Sequence, residues 1–430
     1  MNKSLVKRFL TNSNDIDKSG AIWNLVASVL CAFQSVILLV VMTHTIGLIP
    51  AGIYTMGNTD NNLFLSIGKY GVRPFQVSDV DREYKFREYR MARIISTILM
   101  AVVSTGYVLY VAIKNNYSSN KLWIIIWMCI YKLPDSFEDV YYGDYQKNER
   151  LDVAAKPLAL RMIITITLWA LLLVITKDLL ISVVVSTIVT IVIMVWFILL
   201  TKEFVTEREK PDSSRVLKLL WVTLPLAVAA FLTLYISAAP KNSIDAHLDD
   251  KLQAIYGFIA MPVFVVQLLA QAVFNPVLYK ISCLWNDGDI GKYVRESLKQ
   301  VAYVLLITVV CMLGAWFLGV PVLSAMYHTD LKPYKVDLMF MMIGSGFLGF
   351  SVLLTGLLTV MRHQKSIFVG YITISIISFL FTDKAVVGYG IIGAVVFYVA
   401  MLMLLCLIFL VYYVLYVILE KKHEKEIDQQ

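Results

Sequence analysis

Four charged side chains, Lys132, Asp135, Glu138 and Asp139, stand inside an otherwise apolar stretch, KLWIIIWMCIYKLPDSFEDVYY, residues 121–142. A charge at bilayer depth costs about 2.5–3.5 kcal/mol even on lenient insertion scales, so it normally faces a cavity or a pathway. Spacings of three and four place Lys132, Asp135 and Asp139 on one helical face, with Glu138 to one side. Pro134 removes a backbone donor and is expected to bend the helix there. A cation beside carboxylates in a weakly polar setting can receive an anionic group while an acid takes up or releases a coupling cation. The competing reading is a closed structural salt bridge, with Asp139 at the cytoplasmic mouth.

The elements that must position these groups are membrane helices. Hydrophobic residues make up 59% of the chain and charged residues only 16%, against about 25% charged in soluble domains. A helix needs about 20 mostly apolar residues to cross the hydrocarbon. Twelve spans are expected, near 21–42, 51–68, 94–113, 121–142, 162–176, 179–200, 219–238, 252–275, 300–318, 336–360, 366–381 and 390–419. The second is weak, because it carries Asn58, Asp60, Asn61 and Asn62. The polar N-terminal twenty residues do not read as a signal peptide.

Lysine and arginine placement tests the charged span. With the N-terminus inside, 29 of the 38 basic residues are cytoplasmic and 8 external, with Lys132 inside the membrane. Removing span four reverses everything downstream and gives 17 inside against 21 outside. Only the first arrangement obeys the positive-inside rule. Leu122–Tyr131 alone gives about 15 Å of helix, too short to cross, so the charges must enter the membrane with it. Both termini are then cytoplasmic. The loops are too short for a soluble catalytic domain, so function must reside in the bundle.

The chain divides near residue 205 into halves of six spans, 1–205 and 206–430. Each half has a basic loop between its second and third spans, Lys69–Arg93 and Tyr279–Lys299. Such parallel repeats occur in many secondary transporters. Asn24, Ser28 and Ser35 form a polar stripe in span one, with Gln34 beside it; Gln267, Gln271 and Asn275 form another in span eight. Stripes of this kind either join helices or line a wet cavity. Asp60 is a further intramembrane acid. The five cysteines and five histidines are dispersed, so neither a disulfide frame nor a metal site is implied. Gly68-Lys69 and Gly291-Lys292 are each followed by Tyr, so there is no Walker A loop. Nothing points to a nucleic-acid partner or to a cofactor beyond a coupling H+ or Na+.

Several runs resemble polysaccharide flippases of the Wzx type. They are Ser19-Gly20-Ala21-Ile22-Trp23-Asn24, Thr45-Ile46-Gly47-Leu48, Ile67-Gly68-Lys69-Tyr70-Gly71, Phe75-Gln76-Val77-Ser78-Asp79, Tyr131-Lys132 through Glu138-Asp139-Val140, and Arg150-Leu151-Asp152-Val153. That branch belongs to the superfamily holding multidrug exporters of the MATE type and the lipid II flippase. The resemblance is densest over residues 19–161 and rests on topology alone in the second half. It implies an all-α integral membrane protein, with about twelve transmembrane helices in two pseudo-symmetric six-helix lobes around a central cavity. The implied substrate is a polyprenyl-diphosphate-linked oligosaccharide, moved between leaflets of the bacterial cytoplasmic membrane, with membrane lipids and other polysaccharide-assembly membrane proteins as further partners. The resemblance implies Lys132, Arg73 and Arg161 as substrate contacts, beside the polar Asn24, Gln267, Gln271 and Asn275. It implies Asp135, Glu138 and Asp139 at the site, where with Asp60 they are the candidates for ion coupling. The sequence departs from the pattern at His44, where Arg is expected, and at Asp60, where a small apolar residue is expected.

Two other functions compete. A cation exporter of the same fold needs an acidic trap without a neighbouring lysine; Asp60 favours it and Lys132 opposes it. A membrane sugar transferase or polymerase needs a sizeable outer loop with acids or histidines. The loops at 239–251 and 319–335 carry His247, Asp249, Asp250, His328 and Asp330 but are short.

Overall fold

In the computed structural model, residues 3–79, 83–205, 212–274 and 277–428 are described, and among them every regular element is helical. The chain divides into two units, Met1–Leu234 and Tyr235–Gln430. The division falls within a single long helix, Ser213–His247, whose first turns bury Val216 and Leu219 in the N-terminal unit.

The N-terminal unit contains α1 (Lys3–Thr11), α2 (Ile16–Thr45), α3 (Leu48–Lys69), α4 (Val72–Ser78), α5 (Phe86–Lys114), α6 (Ser119–Tyr131), α7 (Leu133–Lys147), α8 (Leu151–Thr176), α9 (Leu179–Thr201) and the first part of α10 (Ser213–His247). Side-chain caps start several of them: Asp15 accepts from Lys18 N at 2.9 Å and Asp178 from Ile181 N at 2.9 Å. Helix α2 packs along α8, α3 lies against α5 and α6, and α9 lies against α6 and α8. In α9, Ser182, Ser186 and Thr190 are fully buried at four-residue spacing, while Ile181, Ile188, Val192 and Leu199 face outward. Small polar residues inside and large apolar ones outside are what close helix packing in lipid demands.

Among the described residues, nine helical stretches are long and apolar enough to cross a membrane. The weak second span is the continuous helix α3, largely buried by its neighbours, Asp60 included. The charged fourth span is broken into α6 and α7, neither half long enough to cross. Together residues 119–147 supply about 40 Å of helix, enough for the hydrocarbon.

The C-terminal unit contains the end of α10, then α11 (Asp250–Ala260), α12 (Val263–Phe274), α13 (Leu278–Asn286), α14 (Ile290–Gly314), a π turn over Ala315–Gly319, α15 (Val320–Tyr327), α16 (Lys335–Val360) and α17 (Gln364–Asp428). Helix α16 packs against α12, α14 and α17. Expected spans eleven and twelve form one run that breaks at Gly390, whose φ of 63° and ψ of −139° only glycine adopts without strain. In each unit a short helix, α4 or α13, precedes the long helix that follows the basic loop.

Candidate functional site

The break between α6 and α7 places the charges. Pro134 has no N–H, so the Ile130 carbonyl loses its partner four residues on, and the chain re-forms a helix around Lys132. Lys132 N donates to Cys129 O at 3.2 Å, and Ser136 N donates to Lys132 O at 3.2 Å. Close packing holds the break in place. A Cβ on Gly68 of α3 would lie 2.5 Å from Ser136 Oγ and 2.6 Å from Met100 Sδ. Only glycine lets α3 approach α5 and α7 this closely.

Two ionic clusters result. In the first, Lys132 Nζ donates to Asp135 Oδ2 at 2.9 Å and to Gln34 Oε1 at 3.4 Å. Arg161 Nη2 donates to Asp135 Oδ1 at 2.6 Å and to Glu138 Oε1. Gln34 Nε2 donates to the Tyr131 hydroxyl at 2.7 Å, and Tyr131 reaches Thr165 at 3.5 Å. Two cations and two carboxylates make this cluster neutral. Arg161 and Glu138 are almost fully enclosed, at 1% and 3% side-chain exposure, whereas Lys132 and Asp135 retain 10% and 15%. Among the described residues, nothing accepts a hydrogen bond from the buried Arg161 Nε and Nη1.

In the second cluster, Asp139 accepts from Arg93 Nη2 at 2.9 Å and from Arg73 Nη1 at 3.2 Å. Arg93, fully buried, also donates to Gly68 O at 2.9 Å, and Arg73 donates to Gln146 Oε1 at 2.9 Å. Two cations share one carboxylate here.

This grouping corrects the expectation from spacing. Glu138, not Asp139, joins Lys132 and Asp135. Successive residues turn by about 100°, so Glu138 and Asp139 leave α7 on opposite sides of Asp135. Arg161 of α8 takes Glu138, and the arginines of α4 and α5 take Asp139. Arg161 lies three turns into α8.

Other expected residues stand apart. Asn24 is exposed on α2, where its carbonyl accepts from Ser28 Oγ at 2.8 Å; only Gln34, beside that stripe, reaches the cluster. Asp60 is 2% exposed in α3, and the adjacent Asn61 lies 3.5 Å from Met128 O. Gln267 is half-buried on α12 in the other unit. Asn275 and the side chain of Gln271 lie outside the described residues. Two of the quoted runs form clasps instead. Asp152 binds Arg150 at 2.9 Å and Ser13 at 2.6 Å, while Lys156 reaches the Phe9 and Asn12 carbonyls at 3.0 Å, holding the end of α1 on α8. Gln76 donates to Val140 O at 3.1 Å. Asp79 accepts from Glu83 N at 2.8 Å, the Tyr89 hydroxyl at 2.9 Å and Lys147 at 3.2 Å. Burial opposes the Asp79 charge, but these donors outweigh it and hold its carboxyl below the usual range.

Sequence reasoning missed Arg93, Tyr131 and Thr165. Arg93 sits directly before the apolar run of α5, which gave it the look of an ordinary flanking cation. Nothing in the sequence distinguishes Thr165 from the other hydroxyls of the spans.

No family model matches the chain. It is 23% identical over 323 residues to the capsular polysaccharide biosynthesis protein CapF of Staphylococcus aureus, covering 73% of this chain and 78% of that protein. The lipid II flippase MurJ in an inward closed conformation superposes with a TM-score of 0.70 at 14% identity, over 91% of this chain and 87% of MurJ. An inward-facing multidrug resistance MATE family transporter of the MOP superfamily superposes with a TM-score of 0.66 at 13% identity, over 93% and 99% of the two chains. The chain has the all-helical membrane fold that MATE transporters share with the lipid II flippase.

Proposed function

We propose that this protein flips a polyprenyl-diphosphate-linked oligosaccharide from the inner to the outer leaflet of a bacterial cytoplasmic membrane by alternating access. The observation that carries the reading is the neutral Lys132–Asp135–Arg161–Glu138 cluster at a broken intramembrane helix. A diphosphate offers several charged oxygens and binds best to cations that it can share or capture. Lys132 is the more exposed of the two cations, and one carboxylate holds it. A diphosphate that takes Lys132 leaves Asp135 beside Arg161, where the freed oxygen can accept H+ or Na+. Release of the headgroup restores the Lys132–Asp135 pair. The likeness to a capsular polysaccharide biosynthesis protein supports a sugar-bearing lipid, with other assembly proteins of the membrane as partners. No ATP site is needed: moving one charge through the potential yields about 2.3 kcal/mol per 100 mV.

A second reading, a cation-coupled multidrug exporter, is favoured by the buried Asp60 in α3. Reconstituted protein separates the two. With a fluorescent polyprenyl-diphosphate sugar in liposomes, the wild type should translocate the lipid and Lys132→Gln should not. Translocation at the wild-type rate by Lys132→Gln, or efflux of ethidium with no lipid movement by the wild type, would overturn the proposal.

A further inference from the structure

The helix break at Lys132 is closed by a ring of hydrogen bonds that starts and ends on Arg161. The Arg161 guanidinium holds Asp135, Asp135 holds Lys132, and Lys132 Nζ donates to Gln34 Oε1 at 3.4 Å. Gln34 Nε2 donates to the Tyr131 hydroxyl at 2.7 Å, Tyr131 donates to Thr165 Oγ1 at 3.5 Å, and Thr165 Oγ1 donates to the carbonyl of Arg161 at 2.8 Å. The ring joins α2, α6, α7 and α8, and Gln34, Tyr131 and Thr165 are all buried. Trp169 meets Tyr131 edge-on with ring centroids 4.9 Å apart, and Tyr54 meets Trp169 edge-on at 5.8 Å, which fixes the phenol in place.

Each hydroxyl has a single proton to give, and this sets the direction of every bond from Lys132 to Arg161. The Thr165 proton goes to a backbone carbonyl, so towards Tyr131 its oxygen only accepts. The Tyr131 proton then goes to Thr165, so towards Gln34 its oxygen only accepts. Gln34 must therefore turn its NH2 to Tyr131 and its carbonyl to Lys132. The anchor is a main-chain group of α8, which stays when Lys132 leaves. Without that anchor the amide is free to turn over and put its NH2 beside Asp135. A returning ammonium would then meet a donor instead of an acceptor, at a carboxylate already partly satisfied.

We infer that Gln34 is a positioning residue for Lys132, locked by the Tyr131–Thr165 relay with its carbonyl towards the ammonium, so that the site is reset for Lys132 each time a diphosphate headgroup departs. The inference rests on the flippase reading. It gives Thr165, which holds no charged group, control over how readily Lys132 is released.

Thr165→Val keeps the side-chain shape and removes only the anchor. Tyr131 then donates to Gln34 Oε1, which turns the amide NH2 to Lys132 and loosens the lysine. Farnesyl diphosphate should bind this full-length variant in phosphatidylcholine nanodiscs about three- to tenfold more tightly than wild type. Translocation of the fluorescent polyprenyl-diphosphate sugar in liposomes should become slower, because Lys132 no longer recaptures its place. Thr165→Ser, which keeps the hydroxyl, should restore both. Gln34→Glu puts a carboxylate where the carbonyl stood and should weaken binding by about tenfold or more. A residue that only holds helices together would not give affinity shifts of opposite sign. Tyr131→Phe, which also frees the amide, replaces Thr165→Val if the latter does not elute as a monodisperse species. Unchanged or weaker binding in Thr165→Val, tighter binding with translocation at the wild-type rate, or undiminished binding in Gln34→Glu overturns the inference. If Lys132→Gln is weakened in the same assay, the flippase reading still stands. Failure of the wild type to bind farnesyl diphosphate overturns both.

Discussion

Arg161 is the residue on which the first cluster depends, and its removal gives the sharpest test of the geometry. In Arg161→Met the carboxylates of Asp135 and Glu138 lose the guanidinium that bridges them. Lys132 still neutralises Asp135 at 2.9 Å, but Glu138, 3% exposed, has no other cation among the described residues. At about 3 Å and an effective dielectric constant near 20, each lost contact is worth about 5 kcal/mol before desolvation is counted. Breaking one partner of a buried pair typically costs about 3–5 kcal/mol net, because the other charge stays buried. Arg161→Met should therefore be about 3–5 kcal/mol less stable than wild type. Glu138→Gln leaves Arg161 its bond to Asp135 and should cost less, about 1–3 kcal/mol. The double variant strands no charge and should recover to within about 1 kcal/mol of the milder single variant. Equilibrium unfolding of the purified protein in mixed micelles measures all three. If the two single changes are each worth under about 1 kcal/mol and simply add, the ion pair is not closed in the membrane and the electrostatic account fails.

Two further outcomes follow from contacts that position the site. Gly68→Ala forces a Cβ to 2.5 Å from Ser136 Oγ, 2.6 Å from Met100 Sδ and 2.9 Å from Ser136 Cβ and should cost about 1–3 kcal/mol, only a minor part of it regained on adding Ser136→Ala, which leaves the last two contacts; a thermal midpoint equal to wild type for Gly68→Ala would contradict the close approach of α3 to α7. The Asp79 carboxyl is held below its ordinary value, so its contribution is complete above about pH 4 and is lost as the pH falls through the lower folded-state value; hydrogen exchange of residues 83–89, corrected for intrinsic rates, should therefore rise on acidification, and Asp79→Asn should be fast at both ends of the range.

Much of this site was legible from residue order because its logic is local. The charge bias required residues 121–142 to cross, and Pro134 marked the break that the structure places at Lys132. Gln34 was visible as a polar residue in the first span. What could not be read was the choice of partner. Whether Asp135 turns to Glu138's cation or to Asp139's depends on where α8, α4 and α5 place Arg161, Arg73 and Arg93, and that is set by packing over long sequence separations. The same limit explains Asn24, which shares a polar stripe but faces outward from α2. It also explains Asp152 and Asp79: their runs carry the family resemblance, yet in the fold one clasps α1 and the other the loop before α5.

The two cations of the first cluster are held unequally, and under the function proposed above this asymmetry decides which of them would meet the substrate. Arg161 reaches two carboxylates from a side chain 1% exposed, and moving it would strand Glu138 and leave Asp135 to Lys132 alone. Lys132 has one carboxylate, a long 3.4 Å contact to Gln34 and 10% exposure. Its flexible stem lets the ammonium swing while the helix break stays where Pro134 puts it. In the proposed cycle Arg161 and Glu138 would therefore be the fixed half, keeping Asp135 in place once Lys132 leaves it. An anion arriving from the exposed side would exchange one partner of one lysine, and the net charge enclosed by the protein would then change only by that of the guest. A reversed arrangement, with the bridging guanidinium exposed and the lysine buried, would require two ion pairs to break in each cycle. The lower barrier lies with the arrangement observed, in which the residue nearest the helix break is also the one most easily released.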